Sequence, residues 1–128
     1  MVEATQTKIR RVAVLGASGR MGSEAVKAIT DAPDFELVAA LGREDSLEKL
    51  VETNAEIMVD LTVPSATETN VRFAVEHGVH AVVGTTGWTE ERVESLRELL
   101  DEHPQVGVLI APNFALGSIL ATEFAAKA

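Results

Sequence analysis

The chain has 128 residues, 46% hydrophobic and only 4% aromatic, which suits one domain with an aliphatic core and not two. Eleven basic against twenty acidic residues leave a net charge of −9, so most of the surface repels nucleic acid and anionic membranes, although a local cationic pocket for a phosphate remains compatible. Cysteine is absent, which excludes disulfides, thiolate metal sites and a cysteine nucleophile and fits a reducing cytoplasm.

Residues 1–11 are polar and lack the apolar core of a signal peptide. No apolar run approaches the roughly 20 residues of a membrane span. His77, His80 and His103 follow no ligand spacing, so they read as structural or solvated and no metal site is expected.

In chain order, Val12 to Leu15 reads as a buried strand stopped by Gly16. A helix follows with Met21, Ala25, Ala28 and Ile29 on one face, and Ala32-Pro33-Asp34 ends it. Phe35 to Leu41 is a second strand. Ser46 caps a short helix whose Leu47, Leu50 and Val51 share a face. Ile57 to Asp60 is the third strand, and Ser65 with Glu68 spells a capping box for the next helix. That helix turns Val71, Ala74 and Val75 inward and stops at Gly78. Val79 to Val83 is the fourth strand. Thr89 caps a long helix whose Glu90 and Glu91 suit the positive end of its dipole, with Val93, Leu96, Leu99 and Leu100 facing inward and Pro104 beyond its end. Val106 to Ile110 is the fifth strand, and Gly117 precedes a last helical pattern, Ser118 to Lys127. Alternating strands and helices predict an α/β fold, a doubly wound parallel sheet of Rossmann-like type, over residues 1–128. Ligands of such sheets bind outside the carboxyl ends of the strands.

The loop after the first strand reads Gly16-Ala17-Ser18-Gly19-Arg20-Met21-Gly22, a GxxGxxG variant of the dinucleotide fingerprint. Gly16 permits a tight turn, Gly19 clears the approach to the helix start, and Gly22 lets helix and strand come close. Amides and helix dipole then hold phosphate charge, with Arg20 as an added cation. The competing reading is a turn whose glycines serve packing alone. At the end of the second strand, where an acid would accept from a ribose 2′-hydroxyl, stands Gly42, followed by Arg43, Glu44 and Asp45. Arg43 suits a 2′-phosphate, so NADPH is expected to bind at least as well as NADH. Glu44 or Asp45 can still bend back to a ribose. Three later strand ends carry Asp60-Leu61-Thr62-Val63-Pro64, Gly84-Thr85-Thr86-Gly87-Trp88 and Ala111-Pro112-Asn113-Phe114-Ala115-Leu116-Gly117. Their amides, small hydroxyls and one flat ring can hold a carboxamide, ribose or carboxylate. Each loop alone also reads as ordinary turn chemistry.

Taken in order, these four segments resemble the amino-terminal domain of the dihydrodipicolinate (4-hydroxy-tetrahydrodipicolinate) reductase family, over almost the whole chain after its first eight residues. GTTG followed by PNFALG is the specific part. The resemblance implies a cytoplasmic oxidoreductase of lysine and diaminopimelate biosynthesis. Such an enzyme reduces a cyclic unsaturated dicarboxylate with NADPH or NADH and is usually a homotetramer. It implies cofactor contacts at Gly16, Ala17, Ser18, Gly19, Arg20 and Met21 for the pyrophosphate, and at Gly42 and Arg43 for cofactor choice. Thr62, Gly84, Thr85, Thr86, Ala111, Pro112, Asn113 and Phe114 are implied for the nicotinamide half. Leu61 replaces a common Phe, and Gly42 a common acid. The family's paired-histidine segment and its Lys with Ser-Gly-Thr do not occur in this sequence, so no catalytic residue is expected here. Residues 118–128 are expected to lead toward the hinge of a substrate domain, and slow turnover by the chain alone is expected. The alternative is a stand-alone NAD(P)-binding regulatory module. A semialdehyde dehydrogenase would need a cysteine, and a P-loop NTPase the GxxxxGK[ST] motif.

Overall fold

The computed structural model describes residues 9–111, and Pro112, Asn113, Phe114 and the predicted helix over 118–127 lie outside them. Along the chain run β1 (Arg10–Leu15), α1 (Arg20–Asp31), β2 (Phe35–Leu41), α2 (Glu48–Glu52), β3 (Ile57–Asp60), α3 (Pro64–Glu76), β4 (His80–Val83), α4 (Glu90–Asp101) and β5 (Val108–Ile110). The strands form one parallel sheet in the order β2-β1-β3-β4-β5, the doubly wound α/β arrangement. Winding reverses between β1 and β3, which opens a crevice at their carboxyl ends.

Strand residues alternate between two apolar layers because successive side chains leave opposite faces of a strand. Val12, Val14, Ile57, Val59 and Val82 face Ala25 and Ile29 of α1. Ala13, Leu15, Met58, Ala81 and Val83 face Leu50 of α2, Val71, Ala74 and Val75 of α3, and Leu96 and Leu99 of α4. With both faces covered, β3 is buried at all four positions, which is why it reads as an unbroken apolar run up to Asp60. Each valine, leucine, isoleucine or methionine among them contributes about 1.5–3 kcal/mol by leaving water.

Three local expectations are corrected. The inner face of α1 is Gly22, Ala25 and Ile29, not a face that includes Met21 and Ala28, both of which are exposed. Close approach at Gly22 sets the rotation of the helix, and one residue of offset turns a side chain by about 100°. The capping box at Ser65 and Glu68 does not form, since α3 starts at Pro64 with extended Val63 as its uncapped N-terminal neighbour. Proline is preorganised for the first helical position and pushes the residue before it toward extended backbone, so the N-cap falls on Val63, whose side chain has no acceptor, and Ser65 lies inside the helix. In α2, Leu50 is buried but Val51 is exposed. The Ser46 hydroxyl there accepts from the Glu48 amide at 3.1 Å. The strands also shift at their starts: β1 begins two residues before Val12, β4 at His80 and β5 at Val108.

Thr89 caps α4 as expected, accepting from the Arg92 amide at 3.2 Å. Gly78, at φ +76°, follows the end of α3. Among the described residues, no helix is long and apolar enough to cross a membrane.

Candidate functional site

The glycine loop carries the chain from β1 into α1 at the β1/β3 crevice. Gly16 has φ +76°, and a Cβ on it would lie 2.3 Å from the Leu61 carbonyl oxygen, so glycine is required there by the neighbouring loop. Its amide and that of Ala17 both donate to the Leu41 carbonyl, at 3.0 and 3.1 Å. Those two amides tie β1 to β2 and are not left over for an anion, which corrects their reading as exposed donors. The start of α1 differs. Gly19 takes its N-cap position with no side-chain cap, so the first-turn amides of Arg20, Met21 and Gly22 lack the usual side-chain acceptor. A Cβ on Gly19 would meet only the Gly16 carbonyl oxygen, at 3.5 Å, an ordinary contact. Nothing inside the fold requires glycine there. A bare face at the positive end of a 12-residue helix is what a close-lying phosphate needs.

At the end of β2, residues 42–45 form a tight turn. The Asp45 amide donates to the Gly42 carbonyl at 3.2 Å, and the Asp45 carboxylate accepts the Gly42 amide at 2.8 Å. Asp45 therefore does bend back, but onto the strand end. Arg43 sits exposed in the turn on the rim of the cleft, with no ion pair among the described residues.

Below the rim lies Asp60, wholly buried at the end of β3. Its Oδ1 accepts the Thr62 amide at 3.0 Å and the Thr62 hydroxyl at 2.6 Å. Its Oδ2 accepts the Thr67 hydroxyl from α3 at 2.7 Å. Thr85, beyond β4, shares its hydroxyl proton between the Asp60 carbonyl at 3.1 Å and Oδ1 at 3.2 Å, while accepting the Thr62 amide at 3.0 Å. A buried carboxylate without a cation survives only with such donors. The network pins the loops after β3 and β4 to α3 beneath the crevice. It was missed because its partners stand 2, 7 and 25 residues from Asp60. The aspartate ending an apolar strand ahead of three threonines was the available signal.

The crevice itself is a cleft of about 330 Å³. Of the residues expected at a site, it brings together Gly16, Ser18, Gly19, Gly42, Arg43 and Thr62. Leu47, Ala66 and Asn70, not anticipated, form an additional apolar and amide wall, and Leu61 and Val63 add to it. Ala17 is half-buried against the α1 side of the core, while Arg20 and exposed Met21 stand in the first turn of α1 outside the cleft lining. Gly84, Thr85 and Thr86 lie at the end of β4, with Thr85 buried and Thr86 exposed. Ala111, buried after β5, donates its amide to the Val83 carbonyl at 2.8 Å. These later strand ends are separate from the cleft lining and joined to it through Thr85 and Thr62. The arrangement can hold an extended anionic ligand: phosphate at the helix start, a polar group at Arg43, and a flat apolar moiety between the leucines.

Comparison with known proteins matches residues 10–114 to the family described as dihydrodipicolinate reductase, N-terminus. A 4-hydroxy-tetrahydrodipicolinate reductase of Streptomyces griseus is 58% identical over 118 residues, covering 92% of this chain and 47% of its own length. The protein of the same name from Streptomyces coelicolor is 57% identical over 115 residues, 90% of this chain and 46% of its own. Among solved structures, a dipicolinate-bound dihydrodipicolinate reductase from Paenisporosarcina sp. TG-14 superposes with a TM-score of 0.78 at 30% identity, over 94% of this chain and 53% of that one. The chain thus spans about half the length of the curated relatives it matches. With the motifs, the sheet order and these likenesses in agreement, the chain belongs to the dihydrodipicolinate reductase family, to its amino-terminal domain.

Proposed function

We propose that this chain is the cofactor-binding half of a 4-hydroxy-tetrahydrodipicolinate reductase, holding NADPH or NADH for reduction of a cyclic unsaturated dicarboxylate in lysine and diaminopimelate biosynthesis. The observation that carries this reading is the open glycine. Gly16 is closed off by the Leu61 carbonyl, whereas Gly19 presents a bare, uncapped helix start to the cleft. The residues present fit a dinucleotide: first-turn amides and Arg20 for the pyrophosphate, Arg43 for a 2′-phosphate, and Thr62, Thr85, Thr86 and Ala111 toward the nicotinamide half. Asn113 and Phe114 are proposed for that half from the family motif. When bound, the reduced nicotinamide supplies a hydride. The chain's own part is to bind, orient and exclude water, because its sequence contains neither the paired histidines nor the Ser-Gly-Thr with which the family binds and protonates substrate. Turnover by these residues alone is accordingly slow, and a cytoplasmic homotetramer is the expected setting of the whole reductase.

Calorimetric titration of the purified chain with NADPH and, separately, NADH tests the reading. Saturable one-to-one binding is expected, with NADPH equal or tighter. Absence of saturable binding by both would overturn it.

A further inference from the structure

Arg92 stands in the first turn of α4, and its side chain leaves that helix to bind two loops. Its Nη1 donates to the Pro64 carbonyl at 2.8 Å and the Gly87 carbonyl at 3.3 Å, while Nε lies 3.4 Å from Glu68 Oε1. The two loops touch at the same place. Gly87 has φ +96°, and a Cβ on it would lie 2.6 Å from Pro64 Cβ. The segment after β4 is therefore held twice. Thr85 is anchored at the base, on Asp60 and the Thr62 amide. Gly87 is anchored at the rim, on Pro64 and Arg92. Exposed Thr86 lies between the two anchors.

The placement of the cation is costly in one respect. Arg92 sits at the positive end of α4 and beside the first residue of α3, where helix dipoles disfavour positive charge, and Glu68 offsets only part of this. Its planar fork nevertheless reaches two carbonyls through Nη1 and a carboxylate through Nε, a fixed spacing of donors that a lysine's single ammonium does not provide.

We propose that Arg92 is a positioning residue that fixes the Gly84–Thr86 segment against the loop after β3 and so presets the part of the site that receives the nicotinamide half of the dinucleotide. The assignment rests on the cofactor reading given above. Loss of the rim anchor lets Thr86 pivot about Thr85, while the Arg43 turn, on the far side of β1, and the glycine loop, seated on the Leu61 carbonyl and tied to Leu41, keep their shape.

The test compares the wild-type chain with Arg92→Met and Arg92→Lys by calorimetry with NADPH and with adenosine 2′,5′-bisphosphate, which lacks the nicotinamide half. Amide hydrogen exchange is measured on the same proteins without ligand. Arg92→Met is expected to raise the NADPH dissociation constant about tenfold and that of the bisphosphate by less than about twofold. Exchange should quicken over residues 84–88 and stay unchanged over 16–22, with Arg92→Lys intermediate in both readouts. Equal weakening of both ligands, or unchanged exchange over 84–88, overturns the proposal. If the wild type binds neither ligand, the cofactor reading falls, and the exchange data still decide whether Arg92 holds the loop. Should Arg92→Met fail to fold, Arg92→Lys carries the comparison.

Discussion

Gly22 and Gly16 are in closer contact than any side chain would permit: a Cβ on Gly22 would lie 1.8 Å from the Gly16 carbonyl oxygen. The first turn of α1 is thus pressed against the turn that leaves β1, and three glycines that look equivalent in the motif have different duties. Gly16 and Gly22 are required by the fold, whereas no contact within the fold requires glycine at position 19.

Alanine substitution separates these duties. Gly22→Ala and Gly16→Ala are each expected to destabilise the chain by about 3 kcal/mol or more, through backbone overlap and, at Gly16, a left-handed φ as well. Gly19→Ala is expected to cost about 1 kcal/mol or less, the range of a poorer N-cap. It should nevertheless weaken NADPH at least about tenfold by placing a methyl group where the phosphate approaches. Urea denaturation and calorimetry read the two effects independently. Wild-type affinity in Gly19→Ala would remove the phosphate from this helix start.

Thr67→Val probes the Asp60 hub. The substitution keeps the shape of the side chain and removes one donor to a buried carboxylate, an exchange expected to cost about 1.5–3 kcal/mol. Since Thr67 is buried and does not line the cleft, NADPH affinity should change by less than about twofold. A loss below about 0.5 kcal/mol in chemical denaturation would mean that Asp60 does not depend on this hydroxyl.

Arg43→Ala tests cofactor choice. The turn at residues 42–45 spends the Asp45 carboxylate on the Gly42 amide and leaves Arg43 exposed on the cleft rim. The dissociation constant for NADPH is expected to rise about tenfold while that for NADH moves by less than about twofold, since only the former carries the 2′-phosphate. Equal effects on both cofactors would take Arg43 out of that role.

Two caps make a paired stability test. Thr89→Ala removes an acceptor that the Arg92 amide uses, and a loss of about 1 kcal/mol is expected. Ser65→Ala, at an exposed position already inside α3, should lie within about 0.5 kcal/mol of wild type. A comparable loss at Ser65 would restore the capping box that the structure denies.

Much of the fold and part of the site were legible because their signals are local. The apolar run before Gly16, the cap at Thr89 and the turn at Gly78 each depend on a few neighbouring residues. The face of α1 was misread because spacing alone does not say which row of a helix meets a sheet, and Gly22, with no side chain to count as apolar, marks the true one. Proline at 64 overrode the Ser65 and Glu68 pattern in the same way, by fixing where the helix begins.

By itself the sequence determined the alternation of strands and helices, the placing of the chemistry-bearing loops at strand ends, and the family those loops resemble. Tertiary structure decided which glycine is free, that the Gly16 and Ala17 amides belong to Leu41, that Asp45 folds onto Gly42, and that Asp60 and Arg92 join the loops. The physical reason is range. Periodicity and turn preference act within a few residues, whereas steric closure and the sharing of a hydrogen-bond acceptor arise only when segments tens of residues apart are brought together.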